Sequence, residues 1–142
     1  MARILLVAAW LALSIPVTAV DIGGTWNVVI PAGSEKRPDG GTASWKEIRG
    51  TLILTQKGND ITAVWRALDE WTLTGRVDAD GRFALESEER EISGTRNGKE
   101  ERIPARWIIR GAPKDGTLAG TAALMIGERE PLFHKWTATK KS

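Results

Sequence analysis

The chain is predicted to be all-β, a single eight-stranded antiparallel up-and-down barrel. Segment after segment alternates apolar and polar residues, which is the period of a strand that buries one face. Turn sequences separate the segments, and no segment carries the apolar stripe of a helix. Every connection but one is short enough to join neighbouring antiparallel strands, and closing such a sheet removes its exposed edges. A two-sheet sandwich is the alternative, but sandwiches need crossing connections that short loops do not provide.

The first predicted strand, residues 25–30, places Trp26 and two aliphatic residues on one face. The connection after it, residues 31–46, is the one long loop and is rich in proline, glycine and charge. Loops of this length in compact domains are usually functional or disordered. We therefore expect this segment, with Trp45 near its end, to form a rim or lid.

Three strands follow in close succession. The turn Gly58-Asn59-Asp60 joins residues 51–57 and 61–66 as a hairpin, because glycine and asparagine accept the backbone angles of tight turns. Residues 71–77 carry apolar residues at alternate positions, beginning with Trp71. Gly81 lies in the next turn and suits a left-handed conformation there.

The next strand, residues 82–96, is expected to be interrupted. Asn97-Gly98 is the strongest turn signal in the chain, and a two-residue turn there pairs Ile92 with Ile103. Continued without a break, that register would turn charged residues inward and large apolar residues outward, and burying a charge is costly. The sequence therefore predicts a bulge or break between residues 87 and 90.

The last three strands, residues 99–110, 117–126 and 132–139, also alternate. The first places Trp107 inward and a row of arginines outward, and the last places Trp136 inward. These segments complete the eight strands.

Residues 1–19 are expected to be a signal peptide, and residues 20–142 the barrel domain. Arg3 precedes an apolar run, residues 4–13, that has the length of a signal hydrophobic region and is too short to span a bilayer. Val17-Thr18-Ala19 fits a cleavage site. The protein is therefore expected to be secreted or periplasmic, with an uncleaved membrane anchor as the alternative.

Composition argues against several kinds of partner. The chain has 20 Lys and Arg against 18 Asp and Glu, and loss of residues 1–19 removes one arginine, leaving 19 against 18. Nearly balanced, interspersed charge gives no case for nucleic acid or an anionic membrane as partner. A lone histidine without cysteine argues against a zinc site. We expect no cofactor.

Gly24-Thr25-Trp26 resembles the Gly-x-Trp opening of the calycin barrels, the lipocalin and avidin type. Residues 71–76 and 106–109 are similar in texture to middle and late avidin strands. The closing residues 136–140 resemble the end of small secreted bacterial lipocalin-like domains of unknown function. The resemblance implies the barrel fold and a ligand class of small molecules. With no tyrosine and no dense set of inward Ser and Asn, it does not carry over biotin binding.

The candidate ligand-binding residues are mostly aromatic. Inward aromatics could line an open cavity, or fill the barrel as core, because eight strands enclose an interior just wide enough for side chains. Trp45 is a candidate on the rim. His134 is a candidate polar contact for a ligand, or a buried histidine bound by a neighbour. The tryptophans expected on the inner face are Trp26, Trp65, Trp71, Trp107 and Trp136.

The preferred hypothesis is non-covalent binding of a small apolar or amphipathic molecule at an open end of the barrel. The alternative is a filled-core interaction module that binds a protein or envelope partner through the 31–46 loop and the outer face. An enzyme that uses His134 with a carboxylate is the weakest hypothesis, because no catalytic motif is present. The glutamates of residues 86–91 are interpreted as a solvated strand face that meets Arg102 or Arg106.

Overall fold

Strands make up most of the described chain. The computed structural model describes residues 20–37, 40–128 and 131–141, so the predicted signal peptide lies outside the described residues. Within them it shows no helix, and therefore none long and apolar enough to cross a membrane. The strands are β1 (Gly24–Ile30), β2 (Gly33–Lys36), β3 (Thr42–Trp45), β4 (Ile48–Lys57), β5 (Asp60–Arg66), β6 (Glu70–Val77), β7 (Phe83–Ser87), β8 (Arg90–Arg96), β9 (Lys99–Lys114), β10 (Thr117–Ile126) and β11 (Leu132–Lys140).

The sheet closes into an eight-stranded antiparallel barrel, as predicted. Pairing runs from β1 through β4, β5, β6, β7, β9 and β10 to β11, and β11 pairs back to β1. Each barrel strand lies beside the barrel strand that precedes it in the chain, which is up-and-down topology. Successive side chains point to opposite faces of a strand, so the alternation read from the sequence becomes a buried inner face and an exposed outer face.

The predicted break in the strand after Gly81 is confirmed. β7 ends at Ser87 and β8 begins at Arg90. Paired residue numbers sum to 194 between β7 and β9 (Glu86 with Ile108) and to 195 between β8 and β9 (Ile92 with Ile103), so the register slips by one residue. The slip keeps apolar side chains inward on both sides of the break.

The long loop is partly ordered into a hairpin that the sequence did not predict. Residues 33–36 and 42–45 pair as β2 and β3, with Gly33 opposite Trp45. Pro38 and Asp39, which fall between these two segments in the sequence, lie outside the described residues. The segment expected to form a rim or lid therefore contains a two-stranded sheet that is separate from the barrel sheet.

The two ends of the barrel differ, and we name them by their connections. The closed end carries residues 20–23 and the turns that follow β4, β6 and β9. The open end carries the β2–β3 hairpin, the β5–β6 turn, the β8–β9 hairpin and the turn before β11. Asn97 and Gly98, at the tip of the β8–β9 hairpin, both have positive φ angles (53° and 75°), which confirms the predicted turn.

Candidate functional site

Three tryptophans meet in the middle of the barrel. Trp65 comes from β5, Trp107 from β9 and Trp136 from β11, and each is at most 2% exposed. The ring centroids of Trp65 and Trp107 lie 5.8 Å apart, and those of Trp65 and Trp136 lie 6.2 Å apart. Tilted and edge-on contacts at these distances are favourable for aromatic rings. The structure therefore brings together three of the predicted site residues as one cluster.

The indole N–H groups of this cluster have no acceptor. Nε1 of Trp65, Trp107 and Trp136 is fully buried and lies within hydrogen-bond distance of no acceptor among the described residues. Most buried polar groups in proteins are hydrogen-bonded, and an unpaired one costs about 1–3 kcal/mol. Three such donors in one cluster require an explanation, and a bound acceptor is one.

Two other tryptophans, the buried Trp26 and the half-buried Trp45, do have a hydrogen-bond acceptor for the indole N–H. Trp26 Nε1 donates to the Ile22 carbonyl oxygen at 3.0 Å, and Trp45 Nε1 donates to the Pro31 carbonyl oxygen at 3.0 Å. Trp26 lies near the start of β1, at the closed end, away from the mouth. The structure therefore does not bring Trp26 together with the other predicted site residues.

The N-terminal segment covers the closed end. Ile22 is 2% exposed, and its N–H donates to Gln56 Oε1 at 2.8 Å. Gln56 Nε2 in turn donates to the Val20 carbonyl oxygen at 2.9 Å. Together with the bond from Trp26 to Ile22, these contacts fix residues 20–23 against the barrel. Access to the interior from this end would break all of them.

The open end is an apolar mouth. Half-buried apolar side chains pack on the core there, and Leu124 among them is paired directly with Trp107. Trp65, paired with Trp71 and Leu52, also lies just below this rim. Trp65 and Trp107 therefore lie below the mouth, whereas Trp136 lies deeper and also contacts Phe83, at the closed end, with ring centroids 6.2 Å apart. The rim residues are Trp45, Ile48, Ala67, Ile92, Leu124 and Ile126.

Trp45 and His134 form one side of the mouth. Their ring centroids are 4.5 Å apart and their planes nearly perpendicular, so the β2–β3 hairpin lies against the start of β11. His134 Nδ1 is buried and has no partner among the described residues. Burial lowers the pKa of His134 from its usual value of 6.5, and the Glu35 carboxylate opposes that shift. A neutral imidazole at the mouth can donate a hydrogen bond to a ligand or accept one from it.

Arg90 forms the opposite side of the mouth and was missed by sequence reasoning. β7 pairs with β6 only as far as Leu73, and β8, which follows β7, pairs with β9 and not with β6. Among the described residues, the start of β6 therefore has no partner strand on that side. The Arg90 guanidinium fills this position, with Cζ 3.4 Å from the centroid of the Trp71 ring. It also donates to the Glu70 carbonyl oxygen at 3.0 Å and to Asp69 Oδ2 at 3.2 Å. The signal was available, since Arg90 is the first residue after the predicted break.

The glutamates of β7 and β8 take part in exposed ion pairs. Glu91 pairs with Arg102 at 3.3 Å and Glu86 with Arg106 at 3.7 Å, as predicted for a solvated face. The described residues contain no group of three or more His, Cys, Asp or Glu that could hold a metal ion. An open depression of about 450 Å³ lies outside the barrel at the closed end, beside Arg76 and Phe83. It does not reach the tryptophan cluster.

Comparison with protein-family models, with curated proteins and with solved structures found no match to this chain.

Proposed function

We propose that the protein is an extracytoplasmic, lipocalin-like barrel that binds a small amphipathic molecule through its open end. The observation that carries the proposal is the set of three fully buried indole N–H groups without an acceptor, beneath an apolar mouth. Pockets for small molecules are mostly apolar with a few placed polar groups. A closed eight-stranded barrel with one covered end is compatible with this role.

The donors specify the ligand's chemistry. An indole N–H only donates, so the ligand must present an acceptor such as a carbonyl, ether or carboxylate oxygen. The rest of the ligand must be apolar, because the surrounding side chains are tryptophan, leucine and isoleucine. Fatty acids and retinoids combine these two features. The cluster is closed off from solvent, so binding requires the rim and the β2–β3 hairpin to move aside.

Intrinsic fluorescence titration with fatty acids, retinoids, haem and biotin tests the proposal. We expect a saturable change with an acceptor-bearing apolar ligand. Trp107→Phe keeps an aromatic ring and removes the donor, so affinity should fall up to about tenfold, the value of one hydrogen bond. Trp26→Phe is the matched control, because its donor is already used at the closed end, and affinity should not change. Equal affinity loss in both variants, or no ligand that saturates, would reject the proposal.

The filled-core interaction module remains a second candidate, and a different observation favours it. All five inward tryptophans are at most 6% exposed, so the rings fill the interior of the barrel. In that case the donors are a tolerated cost, and function lies on the outer face and the β2–β3 hairpin. Deletion of residues 33–42 would then abolish partner binding and leave the ligand titrations unchanged.

A further inference from the structure

One side of the barrel wall contains no carboxylate. Five adjacent strands, β9 from residue 105 onward, β10, β11, β1 and β4, include no Asp or Glu. The outward-facing carboxylates of the barrel strands lie on the other side, for example Asp60 on β5 and Glu70 on β6. Nearby acidic residues in the turns, such as Asp115 and Glu128, lie only at the ends of this wall. We call the outer face of these five strands the basic wall.

The cations of the basic wall are largely unpaired. On the opposite side, Arg66 pairs with Glu70 at 2.7 Å and Arg76 with Asp60 at 3.9 Å. The wall's Arg110, Lys114 and Lys135 form no ion pair with any residue in the described ranges. Arg49 and Arg106, also on the wall, pair with Glu47 and Glu86, which lie outside these five strands. Closing the sheet separates the signs, which the net charge of +2 does not reveal.

An apolar row crosses the same wall, in which Phe133 is exposed, Ile108 half-buried and Ala123 buried. Phe133 on β11 is 59% exposed and is paired with Ala123 on β10, which is paired with Ile108 on β9. The adjacent row of outward residues, about 7 Å further along the strands, carries Lys135 on β11 and Arg110 on β9. An exposed aromatic ring beside unpaired cations is the combination found where proteins rest on anionic membrane surfaces.

We propose that the basic wall docks on the anionic surface of a phospholipid membrane. Phe133 would lie at the level of the acyl-chain boundary, and Arg110, Lys114 and Lys135 would contact the headgroup phosphates. The remaining outward residues of the wall are mainly Thr and Ala. A broad, smooth, cationic surface matches the distributed negative charge of a bilayer. The proposal does not depend on ligand binding inside the barrel.

Co-sedimentation with vesicles tests the proposal. Vesicles of phosphatidylglycerol mixed with phosphatidylcholine should bind the protein at low salt, and vesicles of phosphatidylcholine alone should not. Binding should fall as salt is added, because exposed charges are screened. Each neutralised cation should weaken partitioning about fivefold. The double variant Arg110→Gln, Lys135→Gln should therefore partition about twenty-five-fold more weakly.

A matched control separates the wall from net charge. Arg66→Gln with Arg76→Gln removes two charges from the opposite side and should change partitioning by less than the about fivefold effect of one contacting cation. Phe133→Ser should weaken binding. Leu68 is 66% exposed but lies outside the basic wall, so Leu68→Ser should not weaken binding. No binding to the anionic vesicles, or equal loss in both charge pairs, would overturn the proposal. Unchanged ligand titrations in the wall variants would show that the two functions are separate.

Discussion

The unpaired donor of Trp107 makes an unusual stability prediction, because removing it should cost little. Replacing Trp by Phe deletes about 40 Å³, which at about 24 cal/mol per Å³ costs roughly 1 kcal/mol. At position 107 the change also removes an unsatisfied buried donor, which returns about 1–3 kcal/mol. The variant Trp107→Phe should therefore be between neutral and about 2 kcal/mol more stable than the parent.

Trp26→Phe provides the comparison, because the same volume is lost but a hydrogen bond is broken. The bond from Trp26 Nε1 to the Ile22 carbonyl oxygen contributes about 1 kcal/mol. Adding the volume loss, Trp26→Phe should be destabilised by about 2 kcal/mol. The two variants should thus differ by at least about 2 kcal/mol in the free energy of unfolding.

Urea unfolding followed by far-UV circular dichroism measures the difference without depending on the substituted fluorophore. Equal m-values are needed, because a changed slope would indicate an altered unfolded or native state. If both variants lose the same stability, the N–H of Trp107 has an effective partner, for instance the face of the Trp65 ring. That result would refute the reasoning from unpaired donors and weaken the proposal of an acceptor-bearing ligand.

Three further predictions concern the mouth and the core. Gly111→Ala should destabilise the fold by about 1–3 kcal/mol, because its Cβ would lie 2.6 Å from Phe83 Cζ; an unchanged urea midpoint would contradict this. Because burial lowers the pKa of His134, stability should hold above pH 6.5 and fall as the pH drops through the lowered value. That slope should shrink in His134→Gln, and an identical pH profile would reject the assignment. Arg90→Ala should expose Trp71 to acrylamide quenching and cost about 1 kcal/mol, whereas unchanged quenching would show that Arg90 does not cover the ring.

The barrel and its register break could be predicted because both follow from alternation. The turn at Asn97-Gly98 fixes Ile92 opposite Ile103, and the need to keep charges out of the core then forces the slip. The β2–β3 hairpin could not be predicted in this way. The strand Gly33–Lys36 has no apolar alternation, and it is positioned by the packing of Trp45 on His134 and on the barrel core.

The inward tryptophans of the candidate site could be predicted from the sequence, but which of their N–H groups have an acceptor could not. Trp26 and Trp107 occupy equivalent inner positions in alternating strands, so no sequence pattern separates them. Only the closed fold shows that residues 20–23 bring the Ile22 carbonyl to Trp26, while no acceptor from the described residues reaches Trp107. The segregation of charge was hidden for the same reason, since strands distant in sequence become neighbours when β11 pairs with β1.

The register break has a consequence for self-association. β8 is the terminal strand in the order of the barrel sheet, so one side of its backbone is left without a partner strand among the described residues. Such an edge is a template for pairing with another molecule. In β8 and just before it, charged side chains crowd this edge, from Glu88 to Glu91, and these are the residues that proteins use to discourage edge-to-edge pairing. The slip that keeps charged side chains out of the core therefore leaves β8, a strand of seven residues, with an unpaired edge.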